Sequence, residues 1–186
     1  MEQREIGAFG VELKPLARED LPLLCHWRNQ EDVLPFMDVP HKTSLENLTF
    51  WYNKIQAYHT TVAWIVHAQE APVAYTELKD IRIPEKSCEG GIFLFGKRQY
   101  GTGLSSRIVL AREIMMRRLG LDTLYSRIRA GNGRGLAFCQ KYGGEYTGEK
   151  QGMLVYVHKK QRRLEMLGAL AEKLGLAPEF ASLLAP

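Results

Sequence analysis

Apolar and charged positions alternate over residues 11–16, the period-two pattern of a short strand. From Asp20 the period changes. Leu21, Leu24 and Trp27 recur every three residues behind an N-cap aspartate, which predicts a helix to about Asn29. The stretch VLPFMDVPH that follows carries two prolines and reads as a loop. Thr43 and Glu46 form a capping-box pair that opens a second helix to about Tyr58, with Leu45, Leu48, Trp51, Tyr52 and Ile55 on one apolar face. Residues 61–67, 73–83 and 90–95 read as three strands joined by the turns QEAP and EKSCEG. A glycine-rich loop, FGKRQYGTG, then runs into an amphipathic helix over 104–119. Residues 122–129 read as a strand. Asn132 caps a helix to about Tyr142, and Gly143-Gly144 ends it. Residues 145–149 and 153–158 form a closing hairpin, followed by a helix over 161–174 and a shorter one over 178–184.

This order predicts one α+β domain over residues 1–160 with a mixed sheet. Residues 161–186 read as a C-terminal helical extension, packed on the same domain or at the interface of a homodimer.

Composition narrows the class. The chain has 186 residues, 45% hydrophobic and 25% charged, enough for a core and unlike a disordered chain. No apolar run is long enough to span a bilayer, so no membrane partner is expected. The N-terminus lacks an apolar signal segment. Twenty-five Lys and Arg against 21 Asp and Glu give +4, an ordinary balance for solubility. The clusters at 112–118 and 159–163 read as solvated helix faces, without a nucleic-acid readout motif. Cys25, Cys88 and Cys139 form no paired motif, and the five histidines have no metal-ligand spacing, so no metal is expected. Free thiols of this kind fit a cytoplasmic protein.

The candidate chemistry begins at the glycine loop. A strand, a short glycine loop and a helix N-terminus make an anion cradle, because first-turn amides lack intrahelical acceptors. Gly101 and Gly103 allow close backbone approach, Lys97 and Arg98 add charge, and Ser105 and Ser106 add hydroxyls. The loop is neither a P-loop nor a dinucleotide fingerprint.

Residues 89–144 resemble the acetyl-CoA-binding core of the GNAT superfamily of N-acyltransferases. The family's Q/R-x-x-G-x-G/A loop is matched by Arg98-Gln99-Tyr100-Gly101-Thr102-Gly103. A second signature, an Asn-capped helix, is matched from Asn132 through Phe138, Cys139, Lys141 and Tyr142 to Gly144. The resemblance implies the GNAT-like fold: a central, mostly antiparallel sheet with two splayed parallel strands and helices on both faces. It implies acetyl-CoA as co-substrate and direct attack by an amine. Cofactor contacts would come from the 98–103 loop, Leu104 and Ser105, from Asn132, Phe138 and Lys141, and from backbone amides at Phe93, Leu94 and Phe95. The family's usual tyrosine acid is replaced by Cys139, with Tyr142 one turn away. Cys139 otherwise reads as a small buried hydrophobe. An attacking amine must lose a proton. Glu89 and Glu77 are the candidate acceptors, Glu89 preferred by the resemblance.

The front half is expected to line the acceptor site. His26-Trp27-Arg28-Asn29, with Phe36 and Met37 beyond, looks like the subgroup that acetylates nucleotide-linked amino sugars, closest to the UDP-4-amino-sugar N-acetyltransferase of pseudaminic acid synthesis in flagellin glycosylation. Arg28, Asn29, Phe36, Met37, His41, Trp51 and Tyr75 are the candidate acceptor residues. Related sequences acetylate ribosomal-protein N-termini, so a peptide acceptor stays open, as does a non-catalytic acetyl-CoA-binding module.

Overall fold

The computed structural model describes residues 5–184. Eight strands form one sheet in the order β1-β2-β3-β4-β5-β6-β8-β7. They are β1 (Ile6–Ala8), β2 (Val11–Pro15), β3 (Val62–Ala68), β4 (Ala71–Arg82), β5 (Ser87–Leu94), β6 (Thr123–Arg129), β7 (Glu145–Lys150) and β8 (Met153–Lys159). Every neighbouring pair is antiparallel except β5 and β6. The helices are α1 (Leu21–Arg28), α2 (Leu45–Tyr58), α3 (Leu104–Arg118), α4 (Gly133–Lys141), α5 (Lys160–Lys173) and α6 (Ala177–Leu184).

The sheet is covered on both faces, and the sequence of β3 shows it. Val62–Val66 are all buried, so this strand is apolar throughout instead of alternating. One face packs Leu21 and Leu24 of α1 and Leu48 of α2 on Ala63, Ile65, Tyr75 and Phe95. The other packs Ile108, Leu110 and Met115 of α3 on Leu13, Trp64, Leu78 and Leu124. Leu167 and Leu170 of α5 and Phe180 of α6 join that second core, so the C-terminal helices pack on the domain itself. Arg163 fixes α5 there. It grips Glu113 through two nitrogens at 2.9 and 3.2 Å and donates to the carbonyls of Asp122 and His158. No described helix is long and apolar enough to cross a membrane.

Three local expectations change. A strand at Ile6–Ala8 precedes the expected first one; three residues are too few to show a period. The cap of α2 is Ser44, whose Oγ accepts from the Asn47 amide, and not Thr43, whose backbone is held by the Asn29 carboxamide. The strand expected from Gly90 starts at Ser87, so Cys88 and Glu89 lie inside β5 and not in a turn.

Candidate active site

β5 and β6 pair only over Ser87–Glu89 and Thr123–Tyr125, then part. Gly90 and Gly91 stand where they part. Successive strand residues face opposite sides, so the parted strands present two different surfaces. A cavity of about 830 Å³ touches both.

On the α1/α2 side lie Tyr75, Glu77 and Lys79 of β4, Glu89 of β5 and Arg127 of β6. Glu89 accepts from Arg127 Nε at 2.7 Å and pairs with Lys79 Nζ at 3.1 Å. Asp38, from the loop before α2, meets Lys79 at 2.8 Å and Arg127 at 3.0 Å. Burial pulls Lys79 down, but Glu77 and Glu89 outweigh it and hold the ammonium above the ordinary lysine value. Burial works against Asp38 in the same way, and the hydrogen bond from Lys79 overrides it, leaving the carboxyl below its usual value. Glu77 Oε2 accepts from the Tyr75 hydroxyl at 2.7 Å, while Oε1 stands 3.5 Å from Lys79. The Glu77 carboxylate lies across the bare Cα of Gly91: a Cβ there would sit 2.8 Å from Oε1.

The 37–43 loop is drawn over this side. Arg129 donates to the carbonyls of Met37 and Asp38, and Arg28 to those of Val39 and His41. Leu24, Val33, Phe36, Leu48 and Trp51 give the cavity apolar walls here.

On the α3/α4 side lie Gly90, Ser126, His158, Cys139, Tyr142 and Arg112. His158 Nδ1 stands 3.2 Å from the Tyr142 carbonyl, which can only accept, so Nδ1 carries the proton. Nε2 is then an acceptor, facing Ser126 Oγ at 3.1 Å and Cys139 Sγ at 3.3 Å. Burial pushes His158 down to about 4 and Cys139 up to about 12, so both are neutral near pH 7. Tyr142 is raised well above its usual value by burial.

The anion cradle is built as its residue types require. Gly101 and Gly103 have φ of +77° and +80°, the left-handed region that favours glycine. Gly103 is the N-cap of α3 and no side chain caps the helix from that position, while Gly101 has open space where a Cβ would point. Gln99, Tyr100, Gly101, Gly103, Ser105, Asn132, Arg134, Phe138 and Lys141 line the cavity at this end. Arg134 lies over the Tyr100 ring at 4.0 Å. The Leu104 amide donates to Thr102 Oγ1 at a long 3.3 Å, and the first-turn amides beyond it, positive charge and glycine clearance together fit the diphosphate of coenzyme A.

Of the expected residues, Glu77, Glu89, Cys139 and Tyr142 all reach the cavity, as do Phe93 and Leu94 and the acceptor candidates Arg28, Phe36, Met37, Trp51 and Tyr75. Arg98, Thr102 and Leu104 flank it without lining it. So do Asn29, which ties the loop at Thr43, and His41, whose carbonyl is used by Arg28. Phe95 does not offer a free amide: its N–H donates to the Val73 carbonyl at 2.7 Å. Antiparallel alternation then turns the Phe93 amide toward β4 and those of Ile92 and Leu94 toward the gap. Trp27 stacks on Phe95, centroids 5.2 Å apart, as part of the core. Arg112, Ser126, Arg127 and Lys79 were missed, since each reads in the sequence as an ordinary polar surface position, whereas Asp38, one of the acidic residues of 31–38 that a peptide acceptor groove would use, does reach the cavity.

Several solved structures share this fold. A ribosomal-protein α-N-acetyltransferase, RimL, solved with coenzyme A, superposes with a TM-score of 0.72 at 16% identity, over 86% of this chain and 99% of that one. The aminoglycoside acetyltransferase AAC(6')-Ib, solved with acetyl-CoA, gives 0.71 at 17% identity, over 82% and 95%. A spermidine N-acetyltransferase from Vibrio cholerae, solved with CoA and spermine, gives 0.71 at 19%, over 83% and 98%. No curated protein matches the chain in sequence. The acetyltransferase (GNAT) domain family matches residues 11–145, most of the sheet together with the cradle and α4. That match spans well over half of the chain, and the chain belongs to the GNAT acetyltransferases, acetyl-CoA-dependent enzymes.

Proposed function

We propose that this enzyme acetylates an amine of near-neutral pKa, the α-amine of a protein or peptide. The observation that carries this reading is the state of the charged groups on the α1/α2 side. Both oxygens of Glu89 are held by cations, and Glu77 is held by Tyr75 and faced by Lys79. Such a site is poorly equipped to strip a strongly basic ammonium. A peptide α-amine, with a pKa of about 7.7–8.0, is partly neutral without help, whereas a lysine-like amine near about 10.4 is not. Glu77 takes the role of proton acceptor in preference to Glu89, because its Oε1 overhangs Gly91 at the parting strands and meets only one cation, at 3.5 Å.

The cations at this side argue against a nucleotide diphosphate. Lys79 and Arg127 are tied to carboxylates, and Arg28 and Arg129 to loop carbonyls. The resemblance in fold to RimL, which acts on a protein N-terminus, supports the same choice. A second reading, a nucleotide-linked amino sugar, draws on the aromatic and apolar wall of Phe36, Trp51, Tyr75 and Phe93, which suits a sugar's apolar face.

Thiol release from acetyl-CoA, measured with short free-N-terminus peptides, UDP-linked 4-amino-4,6-dideoxy sugars, free amino sugars and spermidine, tests the choice. Peptides are expected to react fastest. A dominant rate with the UDP sugar replaces the first reading with the second, and a dominant rate with spermidine removes the argument from amine pKa.

A further inference from the structure

Arg112 is a buried cation without a counter-ion. It lies on α3, is 4% exposed, and lines the cavity from the α3/α4 side. Its Nη1 donates to the Gly91 carbonyl at 3.1 Å and to Thr76 Oγ1 at 3.3 Å, both uncharged. Among the described residues no carboxylate pairs with it. The neighbouring Glu113 is gripped by Arg163. A guanidinium in this position costs stability unless something uses it, because burial without a partner forfeits hydration. Burial accordingly pulls its pKa below the ordinary arginine value.

Its position is set by the absence of a side chain at Gly90. A Cβ there would stand 3.0 Å from Nη2 and 3.1 Å from Cζ. The guanidinium therefore occupies the space that a side chain at Gly90 would take, where β5 leaves β6. Along α3 it is eight residues beyond Leu104, about 12 Å from the cradle, within reach of a pantetheine arm held by its diphosphate.

We propose that Arg112 stabilises the coenzyme A thiolate as it leaves, the task a tyrosine at position 139 would perform. In the transfer an N–C bond forms and the C–S bond breaks, with the electron pair passing to sulfur. The amine proton departs on the α1/α2 side. Arg112 transfers no proton; its fixed positive charge meets the negative charge that develops on sulfur, in a site of low dielectric. The assignment is independent of which amine is acetylated, since the same thiolate leaves in every case. Cys139 does not fill the role: burial holds its thiol at about 12 and its sulfur faces His158.

The test is the titration of the thiol in enzyme-bound CoA, followed by the ultraviolet absorbance of the thiolate. Burial moves four titratable groups facing Arg112 out of the range from pH 6 to 10. Cys88 of β5 and Cys139 of α4 are pushed up to about 12, Tyr142 is raised well above its usual value, His158 of β8 is pushed down to about 4, and Glu113 and Arg163 pair with each other. The bound thiol is expected to titrate about one to three pH units below free CoA. In Arg112→Met it returns toward the free value, and in Arg112→Lys most of the shift remains. Turnover of Arg112→Met is expected to fall by roughly 10²-fold, with KM for the neutral thioester little changed. A wild-type bound thiol that titrates like free CoA overturns the proposal, and that comparison needs no variant to fold. Equal thiol titration in wild type and Arg112→Met overturns it as well. If CoA does not bind the wild-type protein, this proposal and the acetyl-CoA donor fall together.

Discussion

The two sides of the parted strands solve opposite problems. On the α1/α2 side, charged groups are many and mutually paired: Asp38, Glu77 and Glu89 share Lys79 and Arg127 within 4 Å. On the α3/α4 side Cys139, Tyr142 and His158 are held neutral by burial, and Arg112, the charge at the gap, is bonded only to uncharged groups among the described residues. A paired network tolerates loss of one member, because the others regroup and water reaches them. A lone charge among neutral groups has no substitute. The two sides should therefore respond to substitution with different severity.

Gly90→Val attacks the boundary between them and should have the largest effect. Its side chain would collide with the Arg112 guanidinium and Leu124 Cδ1, the latter 2.9 Å from the Cβ position. Overpacking of this kind costs about 1–3 kcal/mol. Thermal melting together with kcat/KM should show a lower Tm and a loss of activity well beyond the loss of folded protein. Unchanged kcat/KM would mean that the guanidinium has no role in the gap.

The α3/α4 side also predicts a pH dependence of stability. His158 is neutral in the fold because burial depresses it to about 4 from an unfolded value near about 6.5. The unfolded chain then binds more protons below pH 6.5, so stability is full above that pH and declines as pH falls toward 4. The total is roughly 3 kcal/mol. Denaturant unfolding of wild type and His158→Gln across pH 4–7 should show that slope in the first and a flatter line in the second. Parallel curves would place the acid sensitivity elsewhere.

The smallest effect is expected from the paired side. Asp38→Asn loosens the loop from Lys79 and Arg127 but leaves Arg127 on Glu89 and Arg129 on the loop carbonyls. KM for the amine should rise a few-fold with kcat for saturating amine nearly unchanged. A large fall in kcat would show that Asp38 orders the reacting groups and not merely the loop.

Much of this architecture was legible in the chain, because it depends on local chemistry. Gly101 and Gly103 announce a turn that needs positive φ, Asn132 announces a cap and accepts from the Gly135 amide, and alternation places the strands within a few residues. The site itself was legible only in part. Arg112 sits in the run REIMMRR, where it is indistinguishable from the exposed arginines of a helix face. Its burial is decided by a glycine on another strand. The Arg127 and Arg129 contacts to the 37–38 segment join residues about ninety positions apart, and no periodicity encodes such a pairing. Phe95 misled for a related reason: the direction of an amide depends on strand register, which the sequence does not state.

The adjacent glycines have one more consequence. With no side chains of their own, Gly90 and Gly91 let a guanidinium press on one face of the strand and a carboxylate on the other, a single peptide apart. The strand becomes a thin plate between unlike poles. During aminolysis positive charge grows on nitrogen, on the carboxylate's side, and negative charge on sulfur, on the guanidinium's side, so the growing dipole opposes the one already in place and each new charge faces a pole of opposite sign. The backbone thus carries an electric field oriented along the reaction before any substrate arrives.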